Sequence, residues 1–264
     1  MAASPHCIVR KASRRASRPP LLFVHGAYAG AWCWDEHFLP YFAARGHDAW
    51  AVDLRGHGGH ADDAGWASLD DYVADVLHAV AAIGEPVVLV GHSMGAIVVQ
   101  RAWREAQAAA LALLAPVPLQ GLLGSSLMLA LNNPEILNEI NKLQMSAALP
   151  ASTELLARAI FSPQLPAPEV RRHLRRMRPE SQRALIDLSW PQQFSIERAT
   201  VPVRVFGAQL DQLFPPQTIG DTARWHGGTT EIIPGLAHAM MLDANRERAA
   251  TRIAAWLDEI LHPA

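Results

Sequence analysis

The sequence predicts an α/β fold, a mostly parallel sheet with helices on both faces, and three observations carry that expectation. Short apolar runs alternate with segments of helical period over the first 115 residues. The alternation stops from about Pro116 to Thr200, where several helices follow one another with no strand between them. It then resumes to the end of the chain, so residues 1–115 and 201–264 read as one core and residues 116–200 as a helical lid inserted between two of its strands. A length of 264 residues suits a single domain of this class.

In chain order, "PLLFVHG", "DAWAVDLRG", "PVVLVGH" and "LALLAP" are the expected strands, with "WDEHFLPYFAARG", "SLDDYVADVLHAVAAIG" and "SMGAIVVQRAWREAQ" as helices between them. Ser68, with Asp71 three residues on, is the N-cap of the second helix, and Gly84 is its C-cap. The lid is broken by "NNP", "LPAS" and "SPQLPAP". Strands return in "VPVRVFGAQLD" and "GGTTEIIPG", followed by a terminal helix from roughly Ala244 to Leu261. No internal repeat or low-complexity tract interrupts this order.

Composition narrows the partners. A hydrophobic share of 50% with 18% charged residues belongs to a globular chain that buries its own core. Lys and Arg number 23 against 25 Asp and Glu, so no net field draws nucleic acid or an anionic membrane surface. Two cysteines, Cys7 and Cys33, make no disulfide framework, which fits a reducing cytoplasm. The first twenty residues, including Arg14 and Arg15, have the acid-free composition of an organelle transit peptide but are read as an irregular N-terminal strand pair. No apolar stretch reaches the length of a membrane span.

The chemistry concentrates at "VGHSMGA". Gly91-His92-Ser93-Met94-Gly95 is a G-x-S-x-G run with a strand before it and a helix after it, the setting of a nucleophile elbow. Glycines two before and two after the serine let a sharp turn pass close to neighbouring backbone. The turn also sets the Ser93 hydroxyl at a helix N-terminus, where N–H groups and the helix dipole favour developing negative charge.

A serine hydroxyl needs a base within reach and an acid to orient that base. In this setting the order along the chain is serine, acid, histidine. Of the three histidines downstream, His238 in "GLAHAMML" follows the last strand-like run, at the sheet edge where ligands bind, and is the candidate base. His173 in "RRHLRRMR" reads as a solvated lid face and His226 as a residue among turns before a strand. Asp211, just past "VFGAQL", is the candidate acid; Asp187 belongs to a lid helix, and Asp221 and Asp243 read as helix-face or capping residues. The backbone N–H groups of Met94 and Ala27 are the candidate oxyanion donors, with Gly26 permitting close approach and His25 bracing the loop. His25 and the "GHGGH" run of His57 to His60 lack a metal-ligand pattern, and no phosphate or dinucleotide loop is present, so no metal and no cofactor is expected.

Taken together, "HGAYAGAWCW", "DLRGHG", "GHSMG", "FGAQLD" and "GLAHAMML" make the chain resemble the α/β-hydrolase superfamily over nearly everything outside the lid. The first of these looks like the methylesterase and hydroxynitrile lyase branch and its bacterial esterase relatives. The resemblance implies an α/β-hydrolase fold, a triad at Ser93, Asp211 and His238, and oxyanion donors at Ala27 and Met94, supported by His25, Gly26, Gly91 and Gly95. Lyases of that branch carry a threonine where this chain has Gly26, and a lysine beside the base that "GLAHAMML" lacks, which favours ester hydrolysis. The nucleophilic aspartate of dehalogenases and epoxide hydrolases is absent from the elbow. Cofactor-free oxygenases take their acid just after the strand here read as "LALLAP", where this chain offers none. The expected substrate is a small uncharged or weakly charged ester or thioester with an apolar acyl or alcohol part, because no Arg or Lys lies in the elbow or either flanking loop. Leu122, Leu123, Leu127, Met128, Leu129, Leu137 and Met145 are lid residues available to line an acyl pocket or, at their helical spacing, to form the lid's own core. A lyase, an oxygenase or a ligand-binding protein on the same scaffold is the alternative.

Overall fold

The computed structural model describes residues 6–13, 18–60, 65–145, 152–193 and 195–261. Seven strands form one sheet in the order β1-β3-β2-β4-β5-β6-β7. They are β1 (Cys7–Arg10), β2 (Leu21–Val24), β3 (Ala49–Val52), β4 (Val88–His92), β5 (Ala110–Leu114), β6 (Val203–Ala208) and β7 (Thr229–Ile233). Every pairing is parallel except that of β1 with β3. The central strands read as unbroken apolar runs because both faces are covered. All residues of β2, β4 and β5 are buried, whereas edge strand β7 exposes its threonines.

Alternation along each strand divides the core in two. Leu21 and Phe23, Val88 and Val90, and Phe206 point to one side, where they meet Trp34, Phe38, Phe42 and Trp256. That layer is made by α1 (Trp32–Asp35), α2 (Phe38–Ala43) and α11 (Arg246–Leu261). Leu22, Val24, Leu89 and Val205 point to the other side, against Tyr72, Val76, Ile97 and Ile219. Those side chains come from α3 (Leu69–Ile83), α4 (Met94–Ala102) and α10 (Pro216–His226). Among the described residues, five further helices lie between β5 and β6: α5 (Leu122–Asn132), α6 (Pro134–Met145), α7 (Thr153–Ile160), α8 (Ala167–Leu174) and α9 (Gln182–Ser189).

The cap chemistry at α3 follows the sequence. Ser68 and Asp71 form a reciprocal capping box, and Gly84 closes the helix at φ 77°. Elsewhere the sequence reading needs correction. The "WDEHFLPYFAARG" helix is two short ones, α1 and α2, because the chain turns at Glu36 and His37. Among the described residues of the N-terminal segment there is one strand, β1, and it pairs with β3; Arg14 and Arg15 lie outside the described residues. His226 is the last residue of α10, a helix the sequence reading passed over.

The strand order reverses about β2, whose neighbours β3 and β4 lie on opposite sides, and open parallel sheets bind ligands in the crevice at the carboxyl ends of strands at such a point. Residues 25–29 leave β2 there and Ser93 leaves β4 there. Close packing fixes this corner. A Cβ on Gly91 would fall 2.5 Å from the Gly95 carbonyl oxygen, and one on Gly95 would fall 2.4 Å from the His25 carbonyl oxygen. Gly124 in α5 meets nothing within 4 Å. Gly91→Ala should therefore cost about 1–3 kcal/mol of stability through overpacking, while Gly124→Ala should gain up to about 1 kcal/mol from helix propensity. Urea denaturation of the two variants measures both signs, and a Gly91→Ala chain as stable as the parent would refute the packing account.

Candidate active site

Ser93 stands at φ 53°, ψ −116°, a backbone conformation a residue with a Cβ rarely adopts. Three hydrogen bonds hold it there. Its N–H donates to the Leu114 carbonyl at 2.9 Å, and its carbonyl accepts from Ala96 N at 3.1 Å and Val117 N at 3.4 Å. Its side chain therefore leaves the end of β4 at the N-terminus of α4, whose first amides have no intrahelical acceptor.

Across the crevice, the loops after β6 and β7 bring Asp211 and His238 together. The His238 Nδ1–Asp211 Oδ2 distance is 2.8 Å, with the two side chains 7% and 1% exposed. The other Asp211 oxygen accepts from Leu213 N at 2.8 Å and Phe214 N at 3.0 Å, so the carboxylate is fixed on both sides. Since a carboxylate accepts, His238 carries its proton on Nδ1 and leaves Nε2 as a lone-pair base. The ring packs edge-on against Phe214 at 5.2 Å and tilted against His92 at 4.8 Å. His92 Nε2–H in turn donates to the His238 carbonyl at 2.9 Å, and burial holds His92 well below the ordinary histidine range. No hydrogen bond joins Ser93 to His238 among the described residues; the two share the wall of one cavity.

Asp243 anchors the same loop. The sequence reading made it a helix-face or capping residue, but it is fully buried and accepts from Ala237 N at 2.8 Å, Ser162 N at 3.1 Å and the Ser162 hydroxyl. Ala239 N also donates to the Ile160 carbonyl at 2.8 Å, so the His238 loop is tied on both sides to the end of α7. Asp187, by contrast, stays on α9 and accepts from Leu69 N and Arg183. Asp221 lies on α10 with Arg224.

The loop after β2 completes the crevice. His25 Nδ1–H donates to the Gly26 carbonyl at 2.8 Å while its Nε2 accepts from Leu54 N at 3.2 Å. Burial lowers its pKa to about 4, with His57 adding to the shift, so the ring is a neutral brace at physiological pH. A Cβ on Gly26 would fall 2.9 Å from His92 Nδ1 and 3.0 Å from Ser93 Cβ, so this glycine lets the loop press against the elbow. Ala27 and Met94 both border the cavity, and Ala27 N–H has no acceptor among the described residues.

The cavity holds about 180 Å³, and among the described residues no Arg, Lys, Asp or Glu side chain borders it. Tyr28, Trp32 and Phe214 contribute aromatic walls, with Leu122, Leu129 and Leu137 from above. The other lid residues named from sequence do not enter it: Leu123, Leu127, Met128 and Met145 are 56–66% exposed. Cys33 borders the cavity too, but burial pushes its thiol up, away from thiolate. A larger open groove of about 960 Å³ runs beside α7 and α8 and touches Asp211, yet reaches neither Ser93 nor His238.

Two histidines depart from the sequence reading. His173 is fully buried with its ring stacked on Trp32, not solvated, and burial lowers its pKa to about 4. His226 is buried as well: Nδ1 accepts from Ala199 N at 3.0 Å, and Nε2–H donates to Gln100 Oε1 at 2.9 Å. Arg55 braces its loop through paired bonds to Asp75, at 2.7 and 3.1 Å, and one to Asp71 at 3.0 Å. The aromatic walls were hidden because Tyr28 and Trp32 look like core residues in "AYAGAWCW"; their signal is nearness to Ala27. No group of three or more metal-ligating side chains occurs among the described residues. Nor does any described helix have the length and apolarity to cross a membrane.

Burial holds the His226 pKa at about 4, below its ordinary value of about 6.5. The unfolded chain thus binds a proton that the fold refuses, so the stability present above pH 6.5 is lost as pH falls toward 4. Urea midpoints at pH 7 and 4.5 should differ less for His226→Gln than for the parent, and an equal difference would remove His226 from the acid sensitivity.

Comparison with known proteins gives the family and the fold. The model of the "Alpha/beta hydrolase family" matches residues 21–252. A probable esterase of Oryza sativa subsp. indica, PIR7A, is 46% identical over 81 residues, 29% of this chain and 30% of its own length. Norfluorocurarine synthase 1 of Strychnos sp is 42% identical over 79 residues, 28% of this chain and 29% of its own length. The matched stretch thus spans about 30% of these curated relatives. Among solved structures, the esterase EaEST of Exiguobacterium antarcticum superposes with a TM-score of 0.76 at 16% identity, covering 96% of this chain and 95% of that one.

Proposed function

The chain belongs to the alpha/beta hydrolase family, and from that premise we propose that it is a serine hydrolase cleaving a carboxylic ester or thioester with an apolar moiety. The observation that carries this reading is the buried Asp211–His238 pair opening onto the same cavity as Ser93. In the proposed reaction Ser93 Oγ attacks the substrate carbonyl carbon as its proton passes to His238 Nε2. Asp211 holds the imidazole tautomer and offsets the imidazolium charge. The carbonyl oxygen becomes an oxyanion facing the Ala27 and Met94 N–H groups, where one donor contributes about 3 kcal/mol. Collapse expels the alcohol or thiol, which takes the proton from His238 and leaves an acyl group on Ser93. Water, deprotonated by His238, then attacks the acyl carbon and regenerates the serine.

The cavity's lack of charged side chains supports an uncharged substrate, since a buried carboxylate or phosphate would need a cationic partner. Residues 116–200 act in this reading as a lid: α5 lines the cavity through Leu122 and Leu129, and α9 through Leu188. Ester hydrolysis is favoured over lyase chemistry because a threonine at position 26 would collide with His92 and Ser93 on this backbone. The esterase name of the rice relative points the same way.

A fluorophosphonate should add once, on Ser93, by intact-mass and peptide mapping. Asp211→Asn should keep the fold and lower kcat by about 10⁴, because the imidazole is then held in the wrong tautomer. Asp187→Asn should change little. An unlabelled chain, or a larger effect at Asp187 than at Asp211, would refute the assignment; labelling of Ser93 without ester turnover would favour a non-hydrolytic reaction.

A further inference from the structure

His57 and Glu180 form a buried ion pair that the proposed chemistry leaves unused. Nε2 lies 3.1 Å from Oε2, both side chains are sealed from solvent, and the contact is off the axis of a directed hydrogen bond, so it acts by charge. Glu180 Oε1 accepts from the Tyr72 hydroxyl at 2.5 Å and from Ser181 N at 2.7 Å. The Gln144 side chain holds the Glu180 backbone, at 2.8 Å to its carbonyl and 3.1 Å from its N–H. Residue 180, within the 116–200 segment, thus joins α6 to α3 and to the loop after β3.

Both ends of this junction reach the loop that carries Ala27. On one side Arg178 N, two residues before Glu180, donates to the Tyr28 carbonyl at 3.0 Å, and Tyr28 stands at φ 65°. On the other side the His57 ring lies 4.9 Å from His25, whose Nδ1–H holds the Gly26 carbonyl at 2.8 Å. Ala27 therefore sits between two residues whose carbonyls are each gripped by a neighbour of the pair. Resting on the hydrolase reading, we propose that Glu180 and His57 are positioning residues that set the Ala27 amide for the oxyanion.

The charges around His57 define how the device responds to pH. His57 faces Glu180 across the segment, Tyr72 from α3, His25 from the loop after β2 and Asp53 after β3; the Arg55 guanidinium is engaged by Asp71 and Asp75. Burial opposes the imidazolium, but Glu180 outweighs it and holds His57 above the ordinary histidine range. His25 is neutral, and burial keeps the Tyr72 hydroxyl protonated. The pair is therefore whole at neutral pH and is lost as pH rises through the folded His57 value.

The test is ¹⁵N NMR of the full chain from pH 6 to 10, with kinetics on a short-chain ester in parallel. The His57 ring should titrate above the ordinary value and the Ala27 amide should shift with the same midpoint. Glu180→Gln should pull the His57 midpoint down, uncouple the amide, and lower kcat by up to about 100-fold with KM unchanged. Tyr72→Phe, which keeps the ion pair, should give a smaller change in the same direction and serves if Glu180→Gln does not fold. An Ala27 amide indifferent to His57, or a loss confined to melting temperature, would overturn the inference. Absence of ester turnover in the parent chain would count against the hydrolase reading alone, and the amide shift would still decide this one.

Discussion

The left-handed backbone at Ser93 is the constraint on which the rest of this site depends. A non-glycine residue in that region costs about 1–3 kcal/mol and persists only where its surroundings over-determine it. Here the surroundings are the Leu114 carbonyl, the Val117 and Ala96 amides, and two glycines packed tightly against neighbouring backbone. β5 is thereby recruited to the site although it supplies no reactive group: its last residue fixes the serine's own N–H. Gly26 belongs to the same jam, because its bare Cα is what lets the loop after β2 lie against His92 and Ser93.

Around that corner, polar groups are arranged so that the cavity stays neutral while its frame is charged. Asp211 and Asp243 are both buried, yet each carboxylate is met by backbone N–H groups, which offset the cost of desolvating it. One orients the His238 ring and the other ties the His238 loop to α7. The histidines His25, His92 and His226 are kept neutral by burial; His25 and His226 brace their surroundings through both ring nitrogens, and His92 through Nε2. His57 differs from these three in having a buried carboxylate, Glu180, opposite it.

The fold and the candidate residues of the site were legible because their signals are local. Apolar runs of strand length, the Ser68–Asp71 box and the G-x-S-x-G spacing each reflect a short-range steric or hydrogen-bond rule. What stayed hidden depends on contacts between distant segments. His173 lies among arginines in the sequence and reads as solvated, but Val170 and His173 turn inward while the arginines turn out. Leu123 and Leu129 are both apolar residues of α5, and only the packing beneath the helix decides that one lines the cavity and the other faces out. The tie between Glu180 and His57 spans 123 positions of sequence and leaves no local pattern at either end.

The central claim is that Ser93 carries the acyl group between two half-reactions. Esters of one acid with several different alcohols should be hydrolysed in the presence of hydroxylamine, and the ratio of hydroxamate to free acid measured for each. One acyl-enzyme common to all of them predicts the same ratio whatever the alcohol, with no product from Ser93→Ala. A ratio that changes with the leaving alcohol, or turnover that survives Ser93→Ala, would contradict the account.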